Sequence, residues 1–203
     1  MLKLSDSLRF MKTRNFNLAE FYECSNKSEL LSAFDRLTKP LVIKISSEEY
    51  SHKSDVGGLF LNINDKKELL KAYNNLKKLS KSVVLQEQKK GIELILGINN
   101  DNVFGKMIML GIGGVFVELI KDVSFRKAPI TKKDALDMIN ELKFKKILNG
   151  FRNNPKINID KLSELLVKLG ELAINEKVLS MDLNPVMFLE NDYFLVDARI
   201  ELE

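Results

Sequence analysis

Between Ser82 and Ile120 the chain passes through one short β-branched run after another with no room for a helix, and this constrains the fold more than any other feature. Val83 to Gln88, Ile92 to Ile98, Lys106 to Leu110 and Val115 to Ile120 read as strands, with Lys89-Lys90-Gly91 and Asn99-Asn100-Asp101 as turns. Successive strands joined so tightly have no space for a parallel crossover, so an antiparallel sheet is expected, with polar residues alternating into one face. Two further strands are expected at Leu41–Ile45, introduced by Pro40, and at Gly58–Ile63.

Helices fall around these runs. Ser28 to Leu37 has helical character. Asp65 opens a stretch in which Leu69, Leu70, Tyr73, Leu76 and Leu79 recur at helical spacing. Thr131 and Asp134 have the spacing of a capping pair for a helix through Leu142, and Asp160 begins another with Leu162, Leu165, Leu166, Leu169 and Leu172 inward. The chain closes on strands at Val178 to Leu189 and Tyr193 to Leu202, joined at Glu190-Asn191-Asp192. The expected class is α+β in two lobes: an N-terminal segment over 1–22, a small lobe over 23–86 and a larger lobe over 87–203.

At 203 residues with 45% hydrophobic and 30% charged residues, the chain has enough apolar side chains for a real core. Its 32 basic and 28 acidic residues are interspersed, giving a net charge of +4; no basic stripe with interleaved aromatics marks a nucleic-acid face, and the balance suits an anionic ligand. The apolar stretch Met107 to Ile120 is broken by glycines and a charge and is shorter than the roughly 20 residues of a membrane helix, so it is read as core. Cys24 stands alone, and the first residues carry charges where a signal peptide needs an apolar run; the cytoplasm is the expected compartment.

Chemistry concentrates at a few places. His52, the single histidine, sits beside Lys53, Ser54 and Asp55 and just before Gly57-Gly58, where consecutive glycines allow backbone N–H groups to curl around an anion. A histidine near glycines is also an ordinary turn residue. Imidazole, with an unperturbed pKa of about 6.5, is largely neutral and nucleophilic near pH 7, so phosphorylation of His52 is chemically reasonable. Lys44 interrupts an apolar strand: its ammonium either snorkels to the surface or meets a negative ligand, because burial without a partner is costly. Glu87 and Glu93 flank the Gly91 turn and either accept hydrogen bonds from a nucleoside or face solvent.

Gly111-Ile112-Gly113-Gly114 is followed by a strand and not a helix, which rejects a dinucleotide fingerprint; these glycines fit a tight turn near phosphate or packed backbone. In the C-terminal hairpin, Asp182 and Asn184 share one strand face, and Asp197 returns almost opposite Asn184 and Pro185. Three oxygen donors of this kind suit Mg²⁺, and the alternative is a polar hairpin.

Taken in order, Val42-Ile43-Lys44-Ile45, His52 to Gly58, Gly91-Ile92-Glu93-Leu94-Ile95-Leu96-Gly97, Gly111 to Glu118, Asp182-Leu183-Asn184-Pro185 and Val196-Asp197-Ala198-Arg199 resemble the beta subunit of ADP-forming acetate–CoA ligases, relatives of succinyl-CoA synthetase. Lys121 to Arg126 and Gly150-Phe151-Arg152 also match stretches typical of that family. The resemblance implies an ATP-grasp fold with nucleotide between two lobes and the reaction acyl-CoA + ADP + phosphate ⇌ carboxylic acid + CoA + ATP. It implies a CoA-binding alpha subunit as partner, in a hetero-oligomer of α2β2 type, with no membrane or nucleic-acid partner. By the family pattern His52 carries the phosphoryl group, Lys44, Gly57, Gly58, Gly113 and Gly114 serve the nucleotide phosphates, and Glu93 and Glu87 contact the nucleoside. Asp182, Asn184 and Asp197 position Mg²⁺, with ATP and ADP as substrates. The residues before Ser28 do not follow the family's usual N-terminal segment. Two other readings remain: an ATP-grasp carboxylate–amine ligase, against which the histidine argues, and a catalytically silent nucleotide-binding assembly subunit.

Overall fold

The computed structural model describes residues 1–48, 56–114, 122–150 and 155–203. Contacts divide the chain into two compact units, Leu2–Lys89 and Lys90–Glu203, the latter joined by Met1.

The first unit is built on a four-stranded antiparallel sheet of β1 (Phe21–Cys24), β2 (Leu41–Ile45), β3 (Leu59–Ile63) and β4 (Val83–Glu87), in the order β1-β4-β2-β3. Two helices, α2 (Lys27–Arg36) and α3 (Lys66–Leu76), supply its main core. Each opens on a side-chain cap, since the first helical N–H groups have no partner inside the helix: Asn26 accepts from the Glu29 amide at 3.0 Å and Asp65 from the Glu68 amide at 2.8 Å. Leu30, Phe34, Leu69, Tyr73 and Leu76 meet Leu41, Ile43, Ile45, Val83 and Leu85 in one cluster. Strand alternation therefore turns Val42, Lys44, Val84 and Gln86 to the opposite face.

On that opposite face lies an element the sequence reading left out. The segment 1–22 contains helix α1 (Leu4–Thr13), whose Leu4, Leu8 and Met11 are buried. Its start is tied to the sheet through Glu23, which accepts from Lys3 at 2.8 Å, Arg9 at 2.8 Å and Ser82 at 3.0 Å. The Ser5 amide donates to Ser46 Oγ at 3.2 Å. The i, i+4, i+7 spacing of Leu4, Leu8 and Met11 was the available signal, diluted by polar neighbours.

The second unit carries a six-stranded antiparallel sheet. Its strands are β5 (Ile92–Asp101), β6 (Gly105–Ile112), β7 (Val123–Lys127), β8 (Val178–Phe188), β9 (Tyr193–Leu195) and β10 (Arg199–Leu202), ordered β10-β8-β5-β6-β7 with β9 also paired to β8. Helices α4 (Lys132–Glu141) and α5 (Ile159–Asn175) pack on each other and on β5 to β7. Thr131 and Asp134 form the expected reciprocal capping box, and Leu162, Leu165, Leu166, Leu169 and Leu172 are all buried. The cap of α5 is Asn158 rather than Asp160.

The run of strands after Ser82 belongs to two sheets, which corrects the expectation of a continuous one. Both edges of β4 are taken, by β1 and β2, so β5 cannot pair with it and instead lies between β6 and β8. The closing return strand is also split, into β9 and β10, with residues 196–198 outside both. A strand at Val123–Lys127 pairs with β6 where the sequence reading placed none, and the strand expected at Val115–Ile120 lies outside the described residues. Among the described residues no helix is long and apolar enough to cross a membrane.

Candidate functional site

In the first unit Lys44 occupies the middle of β2, opposite Val84 on β4 and Leu59 on β3, so it is not an edge lysine. It is 5% exposed, and its ammonium donates to Gln86 Oε1 at 3.0 Å. Gln86, 1% exposed, donates from Nε2 to the Ala19 carbonyl at 3.4 Å. Residues 49–55, with His52 among them, lie outside the described residues. Gly57 has φ +67°, a left-handed conformation that favours glycine, and the Gly58 carbonyl accepts from the Ile45 amide at 2.9 Å.

Glu87, at the end of β4, is engaged on both oxygens. Oε1 accepts from the Thr38 amide at 3.1 Å and Oε2 from Lys89 at 2.8 Å. Burial pushes its carboxyl up, but the hydrogen bonds from Lys89 and Thr38 outweigh this and hold it below the ordinary value. Its evident work is to tie the start of β2 to the end of the unit.

In the second unit the structure brings Glu93 and the glycine turn together. Gly111 and Ile112 still belong to β6, so the turn begins at Gly113. The Gly113 amide donates to the Glu93 carbonyl at 2.6 Å, and a Cβ on Gly113 would stand 2.7 Å from that carbonyl's carbon and oxygen. Gly114 has φ +93°, and a Cβ there would lie 3.6 Å from Glu93 Oε2. Gly113 therefore serves close backbone approach to Glu93, whose carboxylate rests beside Gly114. Glu93 is exposed as a residue, and partial desolvation raises its carboxyl above its ordinary value.

The hairpin residues lie on β8 and its partners. Asp182 stands opposite Arg199 of β10 and Gly97 of β5. The pairing of Val186 with Leu195 and of Asp182 with Arg199 keeps one register on both sides of residues 196–198, which places Asp197 level with Asn184. Against β5 the register shifts between Leu94 and Leu96, so Asn184 and Pro185 together oppose Ile95 as a β-bulge. Asp182 and Asp197 are half-buried and Asn184 is exposed. Among the described residues no group of three or more His, Cys, Asp and Glu side chains forms a ready metal cluster; a set here is two carboxylates and an amide oxygen, hard donors of the kind Mg²⁺ takes.

The ATP-grasp domain matches residues 1–202, so the residues before Ser28 fall within the family match, against the expectation that they depart from it. The chain belongs to the ATP-grasp domain family. Its relatives agree. It is 36% identical over 97% of its length to the beta subunit of acetate–CoA ligase [ADP-forming] I of Pyrococcus furiosus, 90% of which it covers. It is 37% identical over 96% of its length to acetate–CoA ligase [ADP-forming] II of Archaeoglobus fulgidus, but spans only 29% of that longer chain. The dinucleotide-forming acetyl-coenzyme A synthetase 1 of Ca. Korarchaeum cryptofilum, solved with coenzyme A and Mg-AMPPCP, superposes with a TM-score of 0.85 at 36% identity, over 98% of this chain and 92% of that one.

Within this ATP-grasp domain, two of the buried polar residues have contacts that the sequence does not announce. Gln86 is one; its signal was an amide ending the apolar run Val83-Val84-Leu85. Asp122 is the other, 6% exposed and accepting from the Lys143 and Phe144 amides at 2.8 and 2.9 Å, so that it caps the chain leaving α4. Nothing in local sequence pairs it with residues twenty positions away.

Proposed function

We propose that this chain is the nucleotide-binding, phosphoryl-handling part of an ADP-forming acyl-CoA synthetase, working with a CoA-binding alpha subunit in a hetero-oligomer. The observation that carries this is the near full-length match, in both directions, to a separate beta subunit of an ADP-forming acetate–CoA ligase. The occurrence of the same module within a longer single-chain ligase supports a partner that supplies the remaining chemistry.

In this reading the phosphoryl group leaves a phosphohistidine on the partner, forms an N–P bond with His52, and passes to the terminal oxygen of ADP as that bond breaks, giving ATP and free imidazole. Lys44, with the glycines at 57 and 58, holds phosphate in the first unit. In the second, Gly113 and Gly114 shape the phosphate turn and Glu93 contacts the nucleoside. Glu87, in the first unit, has its oxygens taken and contacts the nucleoside only by exchanging partners. Asp182, Asn184 and Asp197 would hold Mg²⁺, which neutralises charge as phosphoryl moves. Their oxygen-only donor set and the level placement of Asn184 and Asp197 fit that ion.

Intact-mass analysis of the wild type and His52→Ala, after incubation with the partner, acyl-CoA and phosphate, tests the proposal. An acid-labile gain of one phosphate on the wild type alone is expected. Equal labelling of both proteins, or none on either, would refute the role of His52.

A further inference from the structure

We propose that Gln86 is a positioning residue for nucleotide phosphate binding: its carboxamide aims the Lys44 ammonium without itself setting a negative charge beside it. The inference rests on the reading of Lys44 as a phosphate ligand.

The geometry is specific. Lys44 and Gln86 lie on neighbouring strands of one face, one step apart diagonally, since Lys44 pairs with Val84 and Gln86 with Val42. Gln86 is held on β4, whose two edges are both paired, so its backbone has no freedom to drift. The amide has one orientation that satisfies both neighbours. Its Nε2 faces the Ala19 carbonyl, which only accepts, and this turns Oε1 to the Lys44 ammonium, which only donates.

A long lysine side chain has much rotamer freedom to lose, and a fixed acceptor removes part of that loss before ligand arrives. A carboxylate in the same place would fix the lysine equally well but neutralise it, and would set a negative oxygen against the Ala19 carbonyl. A neutral dipole does neither. The choice of glutamine over glutamate at a buried position beside a lysine is thus the choice of alignment without charge cancellation.

Binding of Mg-ADP and of adenosine is measured by calorimetry on the full chain for the wild type, Gln86→Leu, Gln86→Glu and Lys44→Ala, with thermal melts alongside. Expected for Gln86→Leu is a weakening of Mg-ADP by about tenfold, the size of one charge-assisted hydrogen bond, with adenosine affinity within about twofold. Gln86→Glu, nearly isosteric, is expected to weaken Mg-ADP at least as much. Wild-type Mg-ADP affinity in either variant, or an equal loss for adenosine, overturns the positioning role. Lys44→Ala separates the two levels: unchanged Mg-ADP affinity there overturns the underlying reading of Lys44, whereas a loss there with none in the Gln86 variants overturns this inference alone.

Discussion

The amide nitrogen of Gly113 lies 2.6 Å from the carbonyl oxygen of Glu93, and the two backbones approach so closely that residue 113 has no space for a side chain. The start of β5 and the turn after β6 are thereby locked together at the Glu93 backbone. Replacing Gly113 by alanine forces the two strands apart. Gly113→Ala is expected to lower stability by about 1–3 kcal/mol and to weaken Mg-ADP binding, as read by urea unfolding and calorimetry. An alanine variant as stable as the wild type would show that the approach is not required.

Glu93 itself carries a cost. Its carboxyl is raised above the ordinary value by desolvation, so the folded state holds a proton that the unfolded state releases more readily. The stability this gives is fully present below the unfolded pKa and is lost as pH rises through the folded one. Glu93→Gln, which cannot ionise, should therefore gain stability relative to the wild type at pH 7 and not at pH 4, while losing nucleotide affinity. Denaturant midpoints at the two pH values check the sign; a larger gain at pH 4 would contradict it.

Glu23 shows the opposite linkage. Burial works to raise its carboxyl, but hydrogen bonds from Lys3, Arg9, Ser82 and Ser5 prevail and bring it to about 2. Its contribution is present above its ordinary value of 4.5 and disappears as pH falls toward 2. Because Lys3 and Arg9 remain partly solvated, screening reduces the effect, and Glu23→Gln is expected to cost about 1–2 kcal/mol at pH 7. The difference from the wild type should shrink steadily between pH 5 and about 2. Hydrogen exchange across residues 4–13 should rise in the variant at neutral pH, and an unchanged rate would mean that Glu23 does not anchor α1.

Asp182 and Asp197 are tested through the metal. Asp182→Asn and Asp197→Asn each remove a negative charge from the proposed oxygen set and are expected to raise the Mg²⁺ concentration for half-maximal ADP binding by about tenfold. Chelation should bring wild-type affinity down to that of the double variant. A metal requirement identical in the wild type and all three variants would move the Mg²⁺ site elsewhere.

Much of the fold was legible in the sequence because local chemistry fixes it. Asp65 and Thr131 announced helix starts through their own hydrogen bonds, and the leucines of α5 kept their period across 17 residues. The Glu190-Asn191-Asp192 turn sets the hairpin register by counting alone, which is why the sequence itself places Asp197 opposite Asn184. The segregation of β4 and β5 into different sheets was not legible. Both strands have equally good β character, and what separates them is that β1, an element distant in sequence, already occupies the edge of β4.

The candidate site divides along the same line. Sequence singled out Lys44, Glu93, the glycines at 113 and 114, and the hairpin acids, since each breaks a local pattern and a broken pattern is visible in one dimension. That Lys44 is held by Gln86, that Glu93 rests on Gly113, that Glu87 is consumed by Thr38 and Lys89, and that Asp122 caps a segment twenty residues away were decided only by tertiary structure. Those contacts join positions whose separation along the chain carries no periodicity, so the free energy that selects them exists only once both partners have been brought together and dried.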